Sequence, residues 1–234
     1  MYDKTAGYYD ALYHFVDYSE QSRQLRDLIQ QKNPNAKTLL DVGCGTGKHI
    51  ESLREYYEVD GLDLSPELLE IARERCPGVT FHQANMVDFS LGKPFDVITC
   101  LFSAIGYVKT LENMEQAVAC MSHHLRPGSM LVIEPWFSPE TYWVGRLTAN
   151  FVDQPDLKIS WMYKSEIEGR VSAFVIHFLV GTAQGVEYFT ERHELGLFSH
   201  DEYMDAFRKA GLDVHYDPAR LNRRGMYIGV KAET

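Results

Sequence analysis

With 33 acidic against 23 basic side chains, this 234-residue chain carries a formal charge of −10, which argues against a protein that coats nucleic acid through a basic face. Hydrophobic residues make up 45% and charged residues 24%, the balance of a soluble globular enzyme with room for a well-buried core. The four cysteines (Cys44, Cys76, Cys100, Cys120) lack metal-ligand spacing, no stretch is apolar enough to span a bilayer, and Met1-Tyr2-Asp3-Lys4 begins no signal peptide, so a cytosolic protein with reduced thiols, no metal and no membrane partner is expected.

The first 32 residues read as an aromatic, helical segment: Tyr8, Tyr9, Leu12, Tyr13, Phe15 and Tyr18 precede Leu25, Leu28 and Ile29 at helical spacing. Asn33-Pro34-Asn35 ends it. Strands are predicted over Thr38–Val42, Val59–Leu64, Val79–Gln83 and Phe95–Phe102, and a fifth over Ser129–Glu134 after an Arg126-Pro127-Gly128 turn. Helices are predicted over Lys48–Tyr56, from Pro66 behind the N-cap Ser65, and over about Leu111–Leu125. This alternation predicts an α/β fold, a parallel sheet with helices on both faces. Period-two alternation then appears in three runs between about Lys158 and Phe198, with Glu168-Gly169 and Gln184-Gly185 as turns. It predicts an antiparallel sheet inserted over about 142–198 as a lid on the strand ends. A helix capped by Ser199 runs through Lys209 with Gly211 as its C-cap, and strands near Leu212–Tyr216 and Gly225–Lys231 complete a single 1–234 domain.

The densest signal is Leu39-Leu40-Asp41-Val42-Gly43-Cys44-Gly45-Thr46-Gly47. Apolar residues lead into an acid, and glycines alternate through a turn where positive φ and the lack of Cβ let a ligand approach the backbone. The spacing is G-x-G-x-G, and Lys48 stands beyond it, whereas a dinucleotide dehydrogenase wants G-x-G-x-x-G. Asp41 suits the α-ammonium of an amino-acid ligand, reached through water or backbone, which no dinucleotide requires. About twenty residues later Asp63 ends the second strand, where a carboxylate suits ribose hydroxyls. Asn85 follows the third strand and offers an amide to an adenine amino group, with Met86 placed to pack on the ring. The rival readings are a helix-capping acid and a turn asparagine.

Cys100-Leu101-Phe102-Ser103-Ala104-Ile105-Gly106-Tyr107 leaves the fourth strand at the expected substrate cleft. It lacks a D/N-P-P-Y/F sequence, a Pro-Cys nucleophile and a carboxylate cluster for a metal. Trp136 and Phe137 close the fifth strand at the same edge, as core or as a substrate wall. Arg220, Arg223 and Arg224 are the sharpest excess of positive charge in an acidic chain, and guanidinium forks bind phosphate oxygens. His123 and His124 sit near a helix C-terminus as structural residues, and His177 lies in a lid strand with either role open.

The run Leu40-Asp41-Val42-Gly43-Cys44-Gly45-Thr46-Gly47-Lys48-His49 resembles class I S-adenosylmethionine-dependent methyltransferases, a Rossmann-like fold. Asn85-Met86-Val87-Asp88-Phe89-Ser90-Leu91-Gly92, Phe102-Ser103-Ala104-Ile105-Gly106-Tyr107, Glu134-Pro135-Trp136-Phe137-Ser138-Pro139-Glu140 and Arg224-Gly225-Met226-Tyr227-Ile228-Gly229 are similar to the dTDP-3-amino-sugar N,N-dimethyltransferases of macrolide deoxysugar biosynthesis. The resemblance implies S-adenosylmethionine as donor, bound by Tyr13 or Tyr18, Gly43, Asp63, Asn85, Met86 and Leu101. Asp41, Cys44, Gly45 and Thr46 of the glycine loop and Leu64 at the second strand's end join that set. It implies a nucleotide-sugar acceptor near Tyr2, Ser103, Tyr107, Trp136 and Arg224, with Phe137 and Arg223 in the same region. Tyr107, Ser103 and Tyr2 are the catalytic candidates. The family more usually has Ala at 43, Glu at 63, Asp at 85 and Trp at 137. A non-nucleotide amine, hydroxyl or carboxyl metabolite is the alternative acceptor, and a catalytically idle binding scaffold a third reading. The aromatic N-terminus offers a surface for a homodimer.

Overall fold

The computed structural model describes residues 4–219 and 224–233. Its N-terminal segment is broken rather than continuous. A 3₁₀ turn (Ala6–Tyr8) runs into the short helix α1 (Tyr9–Leu12), and Asp17 caps helix α2 (Tyr18–Lys32) by accepting the Glu20 N–H at 2.9 Å.

Strand and helix then alternate through β1 (Thr38–Val42), α3 (Lys48–Leu53), β2 (Glu58–Asp63), α4 (Pro66–Arg75), β3 (Thr80–Gln83) and β4 (Phe95–Cys100). A 3₁₀ turn (Ala104–Val108) precedes α5 (Leu111–His123) and β5 (Leu125–Ile133). The expected Arg126-Pro127-Gly128 turn is instead part of β5, which carries a register shift against β4 between Phe95 and Val97; Gly128, at φ +73°, absorbs the irregularity. A second sheet follows, of β6 (Leu147–Gln154), β7 (Leu157–Lys164), β8 (Glu166–Glu168), β9 (Val171–Thr182) and β10 (Gly185–Gly196). Sequence reading found three of these five. The strand β6 buries only Val152, and β8 is three exposed residues, so neither prints an inward apolar row. Helix α6 (His200–Lys209) starts with a full capping box between Ser199 and Glu202; Ala210 is its C-cap, and Gly211 follows at φ +76°. The strands β11 (Leu212–Asp217) and β12 (Met226–Lys231) return to the first sheet.

The first sheet runs β11-β12-β5-β4-β1-β2-β3, parallel except that β12 lies antiparallel to both of its neighbours. Leu25, Leu28, Ile29, Ile50 and Leu53 cover one face, and Met114, Val118, Met121, Tyr203 and Phe207 the other. Each such side chain taken fully from water contributes about 1.5–3 kcal/mol. Strand order reverses beside β1, which pairs with β2 on one side and β4 on the other. In such sheets the crevice outside the strand ends at that reversal is where ligands bind. The second sheet stands over this crevice. Its inward residues Ile159, Phe174, Ile176, Phe178, Phe189 and Leu195 pack with Leu12, Tyr8 and Tyr13 of the N-terminal segment.

Candidate active site

A cavity of about 1130 Å³ lies between the sheet's strand ends and the second sheet. Along one wall Gly45, at φ +55°, has no described residue beyond its chain neighbours within 4 Å of where a Cβ would stand, so its backbone faces open space. A Cβ on Gly43 would instead come 2.5 Å from that of Ala104. Asp63 ends β2 with its carboxylate accepting the Gly45 N–H at 2.8 Å and the Ser65 N–H at 2.9 Å. Burial raises its pKa. Ser65 itself caps α4 by accepting the Leu68 N–H, so Asp63 is not needed as the helix cap. Leu64 lines the cavity while 65% exposed, and Met86, Val87 and Leu101 add the apolar surface a purine packs against. The Asn85 side-chain Oδ1 accepts the Val87 N–H at 3.1 Å, an Asx turn that presents the residue on the cavity wall. A glycine backbone facing open space, a strand-end acid and an apolar shelf fit an adenosine-bearing donor.

Four expected donor contacts stand outside the cavity lining. Asp41 is buried, receives the Thr99 hydroxyl at 2.7 Å, and has its pKa pushed up to about 7 by burial. Cys44 is buried, and its thiol pKa is raised by burial. Thr46 donates to Asp10 at 2.8 Å, and Arg75 donates both to Asp10 and to the Thr46 carbonyl, tying α1 to the glycine loop. Tyr18 packs on His49 and Phe102, 5.1 and 6.2 Å between centroids; of the two expected tyrosines it is Tyr13 that lines the cavity. Tyr9, half-buried with its pKa raised by desolvation and by neighbouring tyrosines, packs at a tilt on Tyr13, 4.7 Å between centroids, and lines the cavity too. Tyr9 and Tyr13 of the aromatic N-terminus thus face the cavity, while Phe15 of the same segment is 59% exposed. Tyrosine faces attract cations, which suits both a sulfonium and an ammonium.

The opposite wall begins after β4. Phe102 and Ser103 adopt positive φ, 50° and 62°, a conformation costing about 1–3 kcal/mol for each non-glycine residue. Glu134, fully buried, holds it: one carboxylate oxygen accepts the Phe102 N–H at 2.7 Å. The Ser103 hydroxyl donates to the Pro135 carbonyl at 2.7 Å. The other Glu134 oxygen takes an Arg224 N–H at 3.2 Å, and that guanidinium lies 5.5 and 5.8 Å from the Trp136 and Phe137 rings. Arg224 thus faces the cavity with its charge met by Glu134, not as the free anion site that the arginine-rich turn implied. Arg220, Arg223 and Tyr2 lie outside the described residues.

Sequence reading missed Tyr9, Glu134, Trp143, Arg146, Tyr163, Phe174 and His193. Glu134 had a signal, since it is a strand-end acid like Asp63. The lid residues Tyr163, Phe174 and His193 sit at inward positions of period-two strands, where an aromatic reads as core. Arg146 stacks on Trp143 at 4.4 Å and has no ion-pair partner among the described residues. Of the histidines, His124 is structural, with Cys120 and Leu91 as backbone partners, and His177 meets Tyr188 on the exposed lid face. Among the described residues no cluster of His, Cys, Asp or Glu fits a metal, and no helix is long and apolar enough to cross a membrane.

Residues 39–128 match the methyltransferase domain pattern. The chain is 38% identical to the dTDP-3-amino-3,4,6-trideoxy-α-D-glucopyranose N,N-dimethyltransferase of Streptomyces venezuelae, covering 97% of this chain and 98% of that one. It belongs to the class I methyltransferase family that holds the dTDP-amino-sugar N,N-dimethyltransferases. The crystal structure of Streptomyces venezuelae DesVI superposes with a TM-score of 0.92 at 38% identity, over 96% of this chain and 97% of that one. The S-adenosylmethionine-bound amino pentose methyltransferase CalS10 of Micromonospora echinaspora gives 0.89 at 37%, over 96% of each. The chain is an S-adenosylmethionine-dependent methyltransferase with a Rossmann-like sheet and an antiparallel insert.

Proposed function

We propose that this enzyme methylates the amino group of a nucleotide-linked amino sugar. The observation that carries the reading is the shared cavity. Pockets for one drug-sized ligand run about 300–1,000 Å³, so about 1130 Å³ leaves space beside the donor for a second molecule, on a wall of aromatics and cations. Relatives at 35–38% identity over nearly the whole chain act on dTDP-linked amino sugars, which supports that acceptor class.

Bound donor supplies an electrophilic sulfonium methyl. The chain's own work is then alignment and exclusion of water. An attacking amine needs its lone pair, so it must arrive or become neutral. Free α-amino groups have a pKa near 8, and a cavity walled by Tyr13, Phe102, Trp136 and Phe174 disfavours an unpaired ammonium by desolvation. We assign Tyr107 and Ser103 to orienting the amine. Ser103 already donates its proton to Pro135, so it serves as an acceptor only. Arg146, and Arg224 through whatever capacity Glu134 leaves it, meet the diphosphate, and the Trp143 and Phe137 faces suit the base.

The test is a mass-spectrometric transfer assay with S-adenosylmethionine against dTDP-linked 3-amino and 4-amino sugars, the same sugars without nucleotide, and small amines. Transfer to the nucleotide-linked amines, with kcat/KM at least about 100-fold above the free sugars, supports the reading. That ratio corresponds to about 2.7 kcal/mol of diphosphate and base recognition. Preference for a non-nucleotide hydroxyl, carboxyl or amine overturns it.

A further inference from the structure

We propose that Tyr107, His193 and Glu191 form a proton relay that removes the proton an acceptor ammonium must shed before each methyl is added. This rests on the amine-acceptor reading above and names the group that makes such an amine reactive. Tyr107, in the 3₁₀ turn after β4, and His193, on β10 of the lid, both line the cavity on its acceptor side. The Tyr107 hydroxyl lies 3.0 Å from His193 Nδ1. His193 Nε2 faces Glu191 at 3.7 Å, and Glu191 also accepts from the Thr5 hydroxyl. Burial alone would raise Glu191, yet its partners His193, Thr5 and Lys4 hold its pKa below the ordinary carboxylate value.

That arrangement sets the tautomer. A carboxylate beside Nε2 keeps the proton there, so Nδ1 is bare and accepts from the tyrosine. When an ammonium reaches Tyr107, its N–H bond breaks and leaves the electron pair on nitrogen. The proton adds to the tyrosine oxygen as the tyrosine's own proton passes to Nδ1. An imidazolium forms, and Glu191 stabilises it. His193 is only 3% exposed, and its ring lies parallel to Phe174 at 5.6 Å, so bulk water is held away from this path. Among the charged and titratable groups around it, Tyr9 lies near enough to Tyr107 for their charges to interact, Lys109 is paired with Glu194 at the end of the 3₁₀ turn, Lys4 sits over Phe189, and Tyr163 stacks behind Phe174. Each methylation of the amine sheds one proton, and His193 passes it to solvent when the product leaves the cavity, so the ring is neutral again before the next methyl is added.

The experiment compares wild type with His193→Gln and Tyr107→Phe, using the dTDP-amino sugar accepted best. An amine of pKa near 8 is about one-tenth neutral at pH 7, so both variants should lose about tenfold in kcat there and recover above about pH 9. S-adenosylhomocysteine affinity, measured by calorimetry, should stay unchanged. In ¹⁵N-histidine spectra of the wild type holding S-adenosylhomocysteine, the His193 ring should become imidazolium on adding the amino sugar and stay neutral with dTDP-glucose. Superimposable pH profiles in wild type and both variants, or the same ring signature with either sugar, overturns the relay and leaves the amine reading intact. A wild type that methylates no amino sugar overturns that reading and the relay together.

Discussion

The two walls of the cavity are built differently. The donor wall gathers the ends of neighbouring parallel strands, and its defining bond, Gly45 N–H to Asp63, spans 18 residues. Its recognition groups are backbone and one carboxylate. The acceptor wall is assembled from β5, the lid and the last turn, and the bonds that organise it span 86 residues (Tyr107 to His193) and 90 residues (Glu134 to Arg224). Its recognition groups are side chains. A wall made of local backbone is fixed by glycines and strand ends. One made of distant side chains is fixed only once the lid has folded over the sheet.

The largest expected effect breaks the donor wall alone. Among the described residues, its chain neighbours aside, no atom stands within 4 Å of a Cβ at Gly45, so Gly45→Val intrudes on ligand space and not on the core. Its φ of +55° adds roughly 1–2 kcal/mol of backbone cost for a side-chain-bearing residue. We expect at least about a 100-fold loss of S-adenosylhomocysteine affinity by calorimetry, with native circular dichroism. Unchanged affinity would remove this turn from the donor site.

A second effect probes what lies behind that wall. Burial raises the Asp41 carboxyl from near 4 to about 7, so the folded chain holds a proton that the unfolded chain releases. Its contribution to stability is full below about pH 4 and is lost as pH rises through 7. At about 1.4 kcal/mol per pKa unit this is a few kcal/mol. Asp41→Asn should flatten the fall in urea midpoint between pH 4 and 7. A parallel fall in wild type and variant would assign the slope to other groups.

This contrast also explains what could be read from the sequence. The five parallel strands, the glycine turn, Asp63 and Asn85 were legible because each is a local pattern: apolar runs, spaced glycines, an acid at a strand end. The same local signals do not say which side chains reach the cavity: Asp41, Cys44, Thr46 and Tyr18 are not among the residues that line it. Thr46 serves Asp10 instead. His193 and Phe174 were not legible, because an inward lid position specifies burial and says nothing of which loop it will meet. Arg224 was found by its charge, and its pairing with Glu134 was invisible, since a 90-residue separation leaves no local trace.

The acceptor wall can be sharpened without touching the donor. Arg146 has no acid partner among the described residues and stacks on Trp143 at the cavity. Charged hydrogen bonds are worth about 1.5–3 kcal/mol, so Arg146→Gln should raise KM for a dTDP-linked acceptor by about tenfold or more while leaving S-adenosylhomocysteine affinity unchanged. The rise should shrink at high salt, since the contact is partly exposed. An equal rise for a nucleotide-free amine would place Arg146 away from the diphosphate.

The smallest effect is expected at Ser103, and its smallness is informative. The hydroxyl sits beside the reacting region, which makes it look like a catalytic group, but its proton is already given to the Pro135 carbonyl and its burial is nearly complete. Its φ of 62° is held in part by that bond and in part by the Glu134 contact to the neighbouring Phe102 N–H. Ser103→Ala removes one hydrogen bond worth about 0.5–1.5 kcal/mol, leaves the Pro135 carbonyl unpaired and keeps the Glu134 clamp. We expect a modest fall in melting temperature and less than about a tenfold loss in kcat, with no change in the pH profile. A loss of 100-fold or more, in the range of general-base catalysis, would mean that Ser103 turns from Pro135 to the amine during reaction, and would move the proton-handling role from the Tyr107–His193 pair to the strained turn after β4.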